Sequence, residues 1–384
     1  MSERPSDKLH RATRRALLIG VFGLAAAALG GLFRPPAFFF GYLSGFVFWS
    51  GVPLGAAAIL MMHHLVAGRW GWSIRRPVEA AVMTLPLLLP LFAPVALGAP
   101  QLYQWISAPT TTDTSASPFR HLYLNLPFFL ERAAGFLIVW ALGGWLLARW
   151  SRAQNVPGTS ASSGLAALSS GGLVVYFLTA TFAGIDWIGS LASDWYSSVF
   201  GLYLIVGQGL TALAAIIVLS AVLRLWFELE DAISTDVLND LGNLLLTFVV
   251  LHAYMAYAQV FIIWNGNLPR ANAWYEPRMH GLWGGVSVFL ILVHFGLPFF
   301  ALLFRALKRD PRRLLTLAAI VLFARAIEAA WMVLPAARDV TALAIVLGLF
   351  ATIGIGGLWL AAFAWQYGRW RVRGARLARA VQET

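Results

Sequence analysis

The sequence predicts an all-α, polytopic membrane protein that forms a single integral membrane domain over residues 1–384. Hydrophobic residues make up 59% of the chain and charged residues only 12%, and the mean hydropathy is +0.72, values far from those of soluble globular proteins. An apolar run of about 20 residues crosses the hydrocarbon core as a helix. Backbone N–H and C=O groups in lipid must form their hydrogen bonds within helices or closed barrels. Because the period-2 alternation of a barrel is absent, we expect helices.

Ten apolar runs are long enough to be membrane-spanning helices. The predicted spans are 16–33, 39–63, 79–98, 126–148, 168–187, 199–223, 241–264, 281–304, 313–335 and 341–366. A charged or polar connection separates each span from the next. In chain order the connections contain Arg34, then Arg69 to Arg76, a Thr/Ser-rich stretch at 99–125, a Gly/Ser-rich stretch at 154–167, the aromatic segment Asp186 to Tyr203, an acidic stretch at 224–240, Arg270 and Arg278, the basic run Arg305 to Arg313, and Arg338.

The distribution of Lys and Arg predicts that both termini are cytoplasmic. With the N-terminus inside, the inner connections and the C-terminal tail hold most of the basic residues, and the even number of spans returns the tail to the same side. The pI near 10.5 then follows from this topology and from attraction to anionic lipid headgroups. Nucleic acid is not implied.

The sequence contains no cysteine. Thiolate ligation of iron–sulfur clusters and covalent attachment of a c-type haem are therefore excluded for this chain. If electrons pass through an assembly that contains the chain, other subunits must carry most of them.

Arg325 and Glu328 are the strongest candidates for a functional pair within the membrane. Ionisable residues at that depth cost about 2.5–3.5 kcal/mol each on insertion scales, so they are candidates for function by default. Residues at i and i+3 share a helix face, so the two side chains can neutralise each other. The alternatives are a structural ion pair that fixes helix packing and a role in moving protons.

His252 and His294 are predicted to lie near mid-depth on the seventh and eighth spans. Two histidines on adjacent helices can ligate a b-type haem; a hydrogen-bonded packing role and a place on a proton path are the alternatives. Asp240 lies at the inner mouth of the seventh span, where a proton path would begin.

The segment Asp186 to Tyr203, DWIGSLASDWYSSVFGLY, is unusual for a short turn at a membrane surface. Asp186 still belongs to the apolar run, so we expect it at the outer opening of a proton path or at the contact with a partner subunit. Asp194 is explained as a loop or capping residue. Glu131 and Arg132, near the outer end of the fourth span, are expected to pair locally.

Four blocks carry a resemblance to a known family. They are the segment Asp186 to Tyr203, DLGNLLLTFVVLHAYMAYAQVFIIWNGNLP from Asp240 to Pro269, HFGLPFF from His294 to Phe300, and RAIEAAWMVLP from Arg325 to Pro335. In this order and spacing, the chain resembles the NrfD-like, quinol-interacting membrane proteins, and among them the ActF subunits of alternative complex III. The resemblance covers about residues 180–340. The chain departs from the family pattern at Ala192, Ser193 and Asp194, where a Glu-Pro-His run is usual, and at Glu328, where Asp is common.

The resemblance implies a ten-helix subunit with two four-helix bundles, spans two to five and six to nine, and two peripheral helices. It also implies a place in the bacterial inner membrane, in a quinol:cytochrome c oxidoreductase of an electron transport chain. The implied partners are an NrfD-like quinol-oxidising subunit, an iron–sulfur subunit, c-type cytochromes and lipids. Subunits of this kind hold no redox centre, so the c-type haems and iron–sulfur clusters belong to the other chains, with quinol as the substrate.

The leading hypothesis is a non-redox membrane subunit with a structural role and a proton-conducting one. It assigns no catalytic, cofactor-binding or metal-binding residues. The candidates for the proton path are Asp186, Asp240, His252, His294, Arg325 and Glu328. A quinol-binding, NrfD-like subunit is one alternative, and a secondary transporter, which favours broken helices and inverted repeats, is another.

Overall fold

The computed structural model describes residues 5–107, 122–153, 161–192, 195–227, 233–267, 272–337 and 340–382, and all regular structure within these ranges is helical. Among them are ten helical spans long and apolar enough to cross a membrane, which confirms the predicted number and order. Their bounds are α1 (Asp7–Phe33), α2 (Pro35–Val66), α3 (Arg69–Leu102), α4 (Leu126–Ala153), α5 (Ser163–Leu191), α6 (Phe200–Leu225), α7 (Thr235–Gly266), α8 (Gly281–Leu303), α9 (Pro311–Ala336) and α10 (Thr341–Arg369). We call the side at which α1 begins the N-side.

The spans form two four-helix bundles and a peripheral pair, as the family resemblance implied. In the first bundle α2 packs on α3 and α5, and α4 packs between α3 and α5. In the second bundle α6 packs on α7, α7 on α8, α8 on α9, and α9 back on α6. Helices α1 and α10 pack against each other and against α2. The two bundles meet mainly where α2 contacts α6 and α9 and where α5 contacts α6.

Glycines permit the closest helix contacts. A Cβ atom on Gly55 of α2 would lie 2.0 Å from the carbonyl oxygen of Gln208 on α6, and a Cβ on Gly357 of α10 would lie 2.4 Å from the backbone nitrogen of Gly20 on α1. Apolar side chains give helices no net drive to associate in lipid, so close backbone packing has to supply much of the attraction. Larger side chains at these positions would separate α2 from α6 and α1 from α10.

Two spans are interrupted by irregular helical segments. Span α3 consists of Arg69–Val82, a 3₁₀ turn Leu85–Leu87 and Leu88–Leu102. Span α8 consists of Gly281–Phe289, a π-helix Leu290–Gly296 and Leu297–Leu303. Pro298 follows the π-helix and has no N–H to donate to the carbonyl of His294, four residues earlier. The wider turn instead lets Leu297 donate to the carbonyl of Leu292. Helices of this type are rare and are often found at functional sites.

The 3₁₀ turns Gly189–Leu191 and Leu334–Ala336 form the ends of α5 and α9. Short helices occupy connections at Gln104–Ser107, Glu276–Met279 and Arg305–Arg309. Arg278, from one of them, is buried at the far end of α9 from the N-side. It donates to the carbonyls of Trp331 at 3.2 Å and Met332 at 2.6 Å, and also to the carbonyl of Trp274. The last carbonyls of a helix have no partner within it, and a cation there interacts favourably with the negative end of the helix dipole. Arg278 thus caps α9.

Candidate functional site

Five buried polar side chains meet inside the second bundle, and each of its four helices contributes at least one of them. We call this set the Glu328 cluster, and it consists of Tyr203 from α6, His252 from α7, His294 from the π-helix of α8, and Arg325 and Glu328 from α9. Tyr203 lies in the first turn of α6, at the end opposite the N-side, whereas His252, His294 and Arg325 lie near the middle of their spans.

Arg325 neutralises Glu328 and also holds two other helices. Its Nη1 donates to Oε2 of Glu328, which confirms the predicted i, i+3 pair. Its Nε donates to the hydroxyl of Thr211 at 3.0 Å, and its Nη1 lies 2.9 Å from Nε2 of His252. The guanidinium has this position because α6 carries a glycine opposite it: a Cβ on Gly207 would lie 2.5 Å from Nη2.

Glu328 is contacted by groups from three other helices. The hydroxyl of Tyr203 donates to Oε1, and Nε2 of His252 lies 3.4 Å from the same oxygen. Nδ1 of His294 lies 3.3 Å from Oε2. The two imidazole rings also contact each other, with ring centroids 5.0 Å apart. A buried carboxylate is stable only when it is paired and hydrogen-bonded; Arg325 supplies the paired charge, and Arg325 and Tyr203 donate hydrogen bonds.

The contacts assign the proton on each ring. A guanidinium only donates, so Nε2 of His252 must accept from Arg325, which leaves the hydrogen of the neutral ring on Nδ1. An ionised carboxylate only accepts, so Nδ1 of His294 carries the hydrogen that faces Glu328. In the described part of the chain, Nε2 of His294 is buried and has no hydrogen-bond partner. One imidazole nitrogen of the cluster is thus available to accept a proton.

The geometry favours neither a haem nor a metal at the two histidines. A porphyrin coordinated by both rings must lie between them, but the rings are in direct contact. One ligand atom each from His252, His294 and Glu328 lies within 4.8 Å of the others, a separation compatible with a metal ion. However, Arg325 already places its positive charge against both Glu328 and Nε2 of His252. The positive charge of Arg325 would repel a metal ion bound to the same atoms.

A small cavity of about 30 Å³ lies beside the cluster, between the two bundles. Its lining includes Arg325 and Thr211, Gln208 of α6 and Ser50 of α2. Gln208 in turn accepts a hydrogen bond of 2.6 Å from the hydroxyl of Tyr176 on α5. A cavity of this size holds roughly two water molecules when polar groups line it. The polar side chains named above meet that condition.

Asp186 lies in the first bundle, away from the Glu328 cluster. It is fully buried and makes two hydrogen bonds with Arg132 of α4, of 2.8 Å from Nε and 3.0 Å from Nη2. Arg132 therefore pairs with Asp186, and the expected local pair with Glu131 is not formed, because consecutive residues point to different faces of a helix. Nearby, the hydroxyl of Tyr103 donates to the carbonyl of Trp187 at 3.1 Å. Burial raises the pKa of Tyr103, and the negative charge of Asp186 adds to the rise.

Asp240 also lies outside the cluster. It is partly exposed at the N-side end of α7, and its Oδ2 lies 3.9 Å from Nη2 of Arg69. His252 is twelve residues further along α7, which corresponds to about 18 Å along the helix axis. Asp194, Glu228, Glu230 and Asp231, which the sequence placed in two polar connections, lie outside the described residues.

A second buried cluster, which was not predicted from the sequence, lies in the first bundle near the N-side. We call it the Glu79 cluster: Arg75 and Glu79 of α3, His64 of α2, Ser151 of α4 and Ser169 of α5. Glu79 accepts from Nε of Arg75 at 2.8 Å and from the hydroxyl of Ser151 at 2.5 Å. His64 contacts Ser151 at 3.1 Å and Ser169 at 2.9 Å. The i, i+4 spacing of Arg75 and Glu79 was the signal in the sequence.

No protein-family model matches the chain, and no curated protein matches it.

Proposed function

We propose that this chain is a non-redox membrane subunit of a quinol:cytochrome c oxidoreductase and that it moves protons through its second helix bundle. The single observation that carries proton conduction is the Glu328 cluster. It places a carboxylate, two imidazoles and a phenol in contact within the membrane. Ionisable groups cost free energy there, so a cluster of them is a candidate for function by default. Membership of the oxidoreductase is supported by the resemblance of the four sequence blocks, two of which supply His294, Arg325 and Glu328.

The neutral cluster can receive one proton at a defined atom. With Arg325 positive, Glu328 negative and both rings neutral, the proton binds Nε2 of His294. The hydrogen on Nδ1 of the same ring then passes to Oε2 of Glu328, which lies 3.3 Å away. Arg325 tunes the carboxylate and does not itself transfer a proton.

Two tyrosines provide an exit toward the side opposite the N-side. Tyr203 already contacts Glu328. For a proton to leave the carboxylic acid, the hydroxyl of Tyr203 passes its own hydrogen to the next acceptor toward that side and takes the proton of Glu328 in its place. Tyr275, in the connection between α7 and α8, lies beyond it toward the membrane surface. Burial raises the pKa of Tyr275, and the negative charge of Glu328 adds to this rise. Tyr275 therefore acts as a neutral hydroxyl that passes protons along hydrogen bonds.

The proposed orientation places the N-side in the bacterial cytoplasm, as the Lys/Arg distribution predicts. On this orientation the Glu328 cluster extends from the middle of the second bundle toward its periplasmic end, which Tyr203 marks, and the Glu79 cluster lies in the cytoplasmic half of the first bundle. The Glu328 cluster itself gives no support to a quinol site, because the cavity beside Arg325 is about 30 Å³ and small-molecule sites are roughly 300–1,000 Å³.

The test of the assembly is purification of the tagged chain from its native membrane in mild detergent. We expect iron–sulfur and c-type cytochrome subunits to co-purify, together with an NrfD-like subunit, and a reduced-minus-oxidised spectrum of c-type haem. A colourless chain that is isolated alone would contradict membership of the complex, and solute flux by that isolated chain would support a transporter.

The test of conduction uses Glu328→Gln in the same assembly, reconstituted into vesicles. We expect quinol oxidation to continue with fewer protons moved per quinol, because the amide cannot accept the proton. The matched control is Glu131→Gln, at an exposed carboxylate on α4. Unchanged proton movement in an intact Glu328→Gln assembly would leave a structural role only.

A further inference from the structure

A large groove lies outside both clusters, on the N-side, where α1, α6 and α10 surround an open space of about 720 Å³. Trp49 of α2 lies at its floor, and its indole nitrogen donates to the carbonyl of Thr352 on α10 at 2.7 Å. Its apolar walls include Leu219 and Val222 of α6 and Leu360 of α10. The volume is within the range of small-molecule and cofactor sites.

The mouth of the groove is basic. Lys8, Arg11 and Arg15 all line it, and no carboxylate is present among the described lining residues. Positions i, i+3 and i+7 share one face of a helix, so the three cations form one stripe along α1. Arg14 also lies on α1 and is exposed, but it does not line the groove.

We propose that this groove binds one anionic diacyl phospholipid. The phosphate pairs with the basic stripe of α1, and the acyl chains lie along the apolar walls formed by α6 and α10. Charge-assisted contacts from guanidinium groups to phosphate are among the stronger polar interactions. Basic pockets between transmembrane helices are recognised sites for acidic lipid headgroups.

The basic stripe of α1 differs from the cations that are generally found at the ends of membrane helices. Lys and Arg near a membrane interface commonly extend their charged ends toward the headgroups. Here three of them face a single apolar groove, and the tight contact between Gly20 and Gly357 holds its two peripheral walls together. The groove therefore provides both a headgroup site and a place for the chains.

The experiment counts bound lipid on the purified protein by native mass spectrometry. The delipidated protein, alone or in its assembly, is titrated with phosphatidylglycerol and with phosphatidylcholine of identical acyl chains. We expect one phosphatidylglycerol per chain and weaker binding of phosphatidylcholine. The double variant Arg11→Gln/Arg15→Gln should bind phosphatidylglycerol about 30-fold more weakly, because two of the three cations are lost. Arg14→Gln, the matched control, should bind like the wild type.

Three results would overturn the proposal: equal affinity for the two lipids, equal loss of binding in Arg14→Gln, or a neutral quinone retained in the groove in place of a phospholipid. Thermal unfolding of each variant shows whether the helices remain packed. If the double variant is unstable, the single variant Arg15→Gln is used for the same comparison with Arg14→Gln. The readout requires no proton movement, so it stands independently of the proposed function.

Discussion

The hydroxyl of Tyr203 donates a hydrogen bond to the carboxylate of Glu328, which is 125 residues later in the chain. This contact joins the first turn of α6 to the second half of α9 within the second bundle. It also connects the aromatic segment that begins at Asp186 with the buried ion pair. The segment therefore reaches both bundles, because Asp186 pairs with Arg132 in the first and Tyr203 contacts Glu328 in the second.

Tyr203→Phe removes only the hydroxyl from this contact. We expect about 1.5–3 kcal/mol of lost stability, the usual worth of a hydrogen bond to a charged group, and slower proton movement with the assembly retained. The measurements are thermal unfolding and protons moved per quinol. Tyr196→Phe, in the same segment but 79% exposed, is the control and should change neither.

Arg325→Leu leaves Glu328 as a buried carboxylate without its cation. We expect a loss of about 3–5 kcal/mol, the usual cost of breaking a buried ion pair from one side. The double variant Arg325→Leu/Glu328→Leu removes both charges and should recover much of that loss. Chemical denaturation of the wild type, Arg325→Leu, Glu328→Leu and the double variant measures the coupling, and additive effects of the two substitutions would show that the pair does not interact.

Asp186→Asn is expected to act on stability more than on proton movement. Its carboxylate is fully buried and is held by two hydrogen bonds from Arg132, so the change leaves the guanidinium without a counter-charge. The expected cost is about 3–5 kcal/mol. Protons moved per quinol, measured on the folded fraction, should match the wild type. A stable variant that fails to move protons would instead place Asp186 on the path.

Glu79→Gln tests the cluster of the first bundle. Glu79 is fully buried and pairs with Arg75, so we expect a loss of about 3–5 kcal/mol in thermal or chemical unfolding. Asp236→Asn is the control, since Asp236 pairs with Arg309 in an exposed position and such pairs contribute about 0–1 kcal/mol. Equal effects of the two substitutions would contradict the buried pairing of Glu79.

The sequence was sufficient for the ten spans and for the Arg325–Glu328 pair. Long apolar runs are a strong signal, and the i, i+3 spacing places two side chains on one face without knowledge of the fold. The sequence also placed His252 and His294 within the seventh and eighth spans, where the structure has them. Their contact with Glu328 was not, because it depends on how α7, α8 and α9 pack.

The residues that sequence reasoning missed had weaker local signals. Tyr203 lies near the end of an apolar run, where tyrosine is expected as an interfacial anchor. Glu79 falls at the predicted start of the third span, and the ends of spans are the least certain part of such a prediction. The partner of Asp186 is Arg132, 54 residues earlier, and only the packing of α4 against α5 brings the two together.

The most direct test of the central claim is an infrared difference spectrum of the reconstituted assembly during quinol oxidation. If Glu328 takes up a proton transiently, a band appears in the carboxylic acid C=O stretching region. We predict that this band is lost in Glu328→Gln, shifted in Glu328→Asp and unchanged in Glu131→Gln. The same band in wild type and in Glu328→Gln would contradict proton transfer through Glu328.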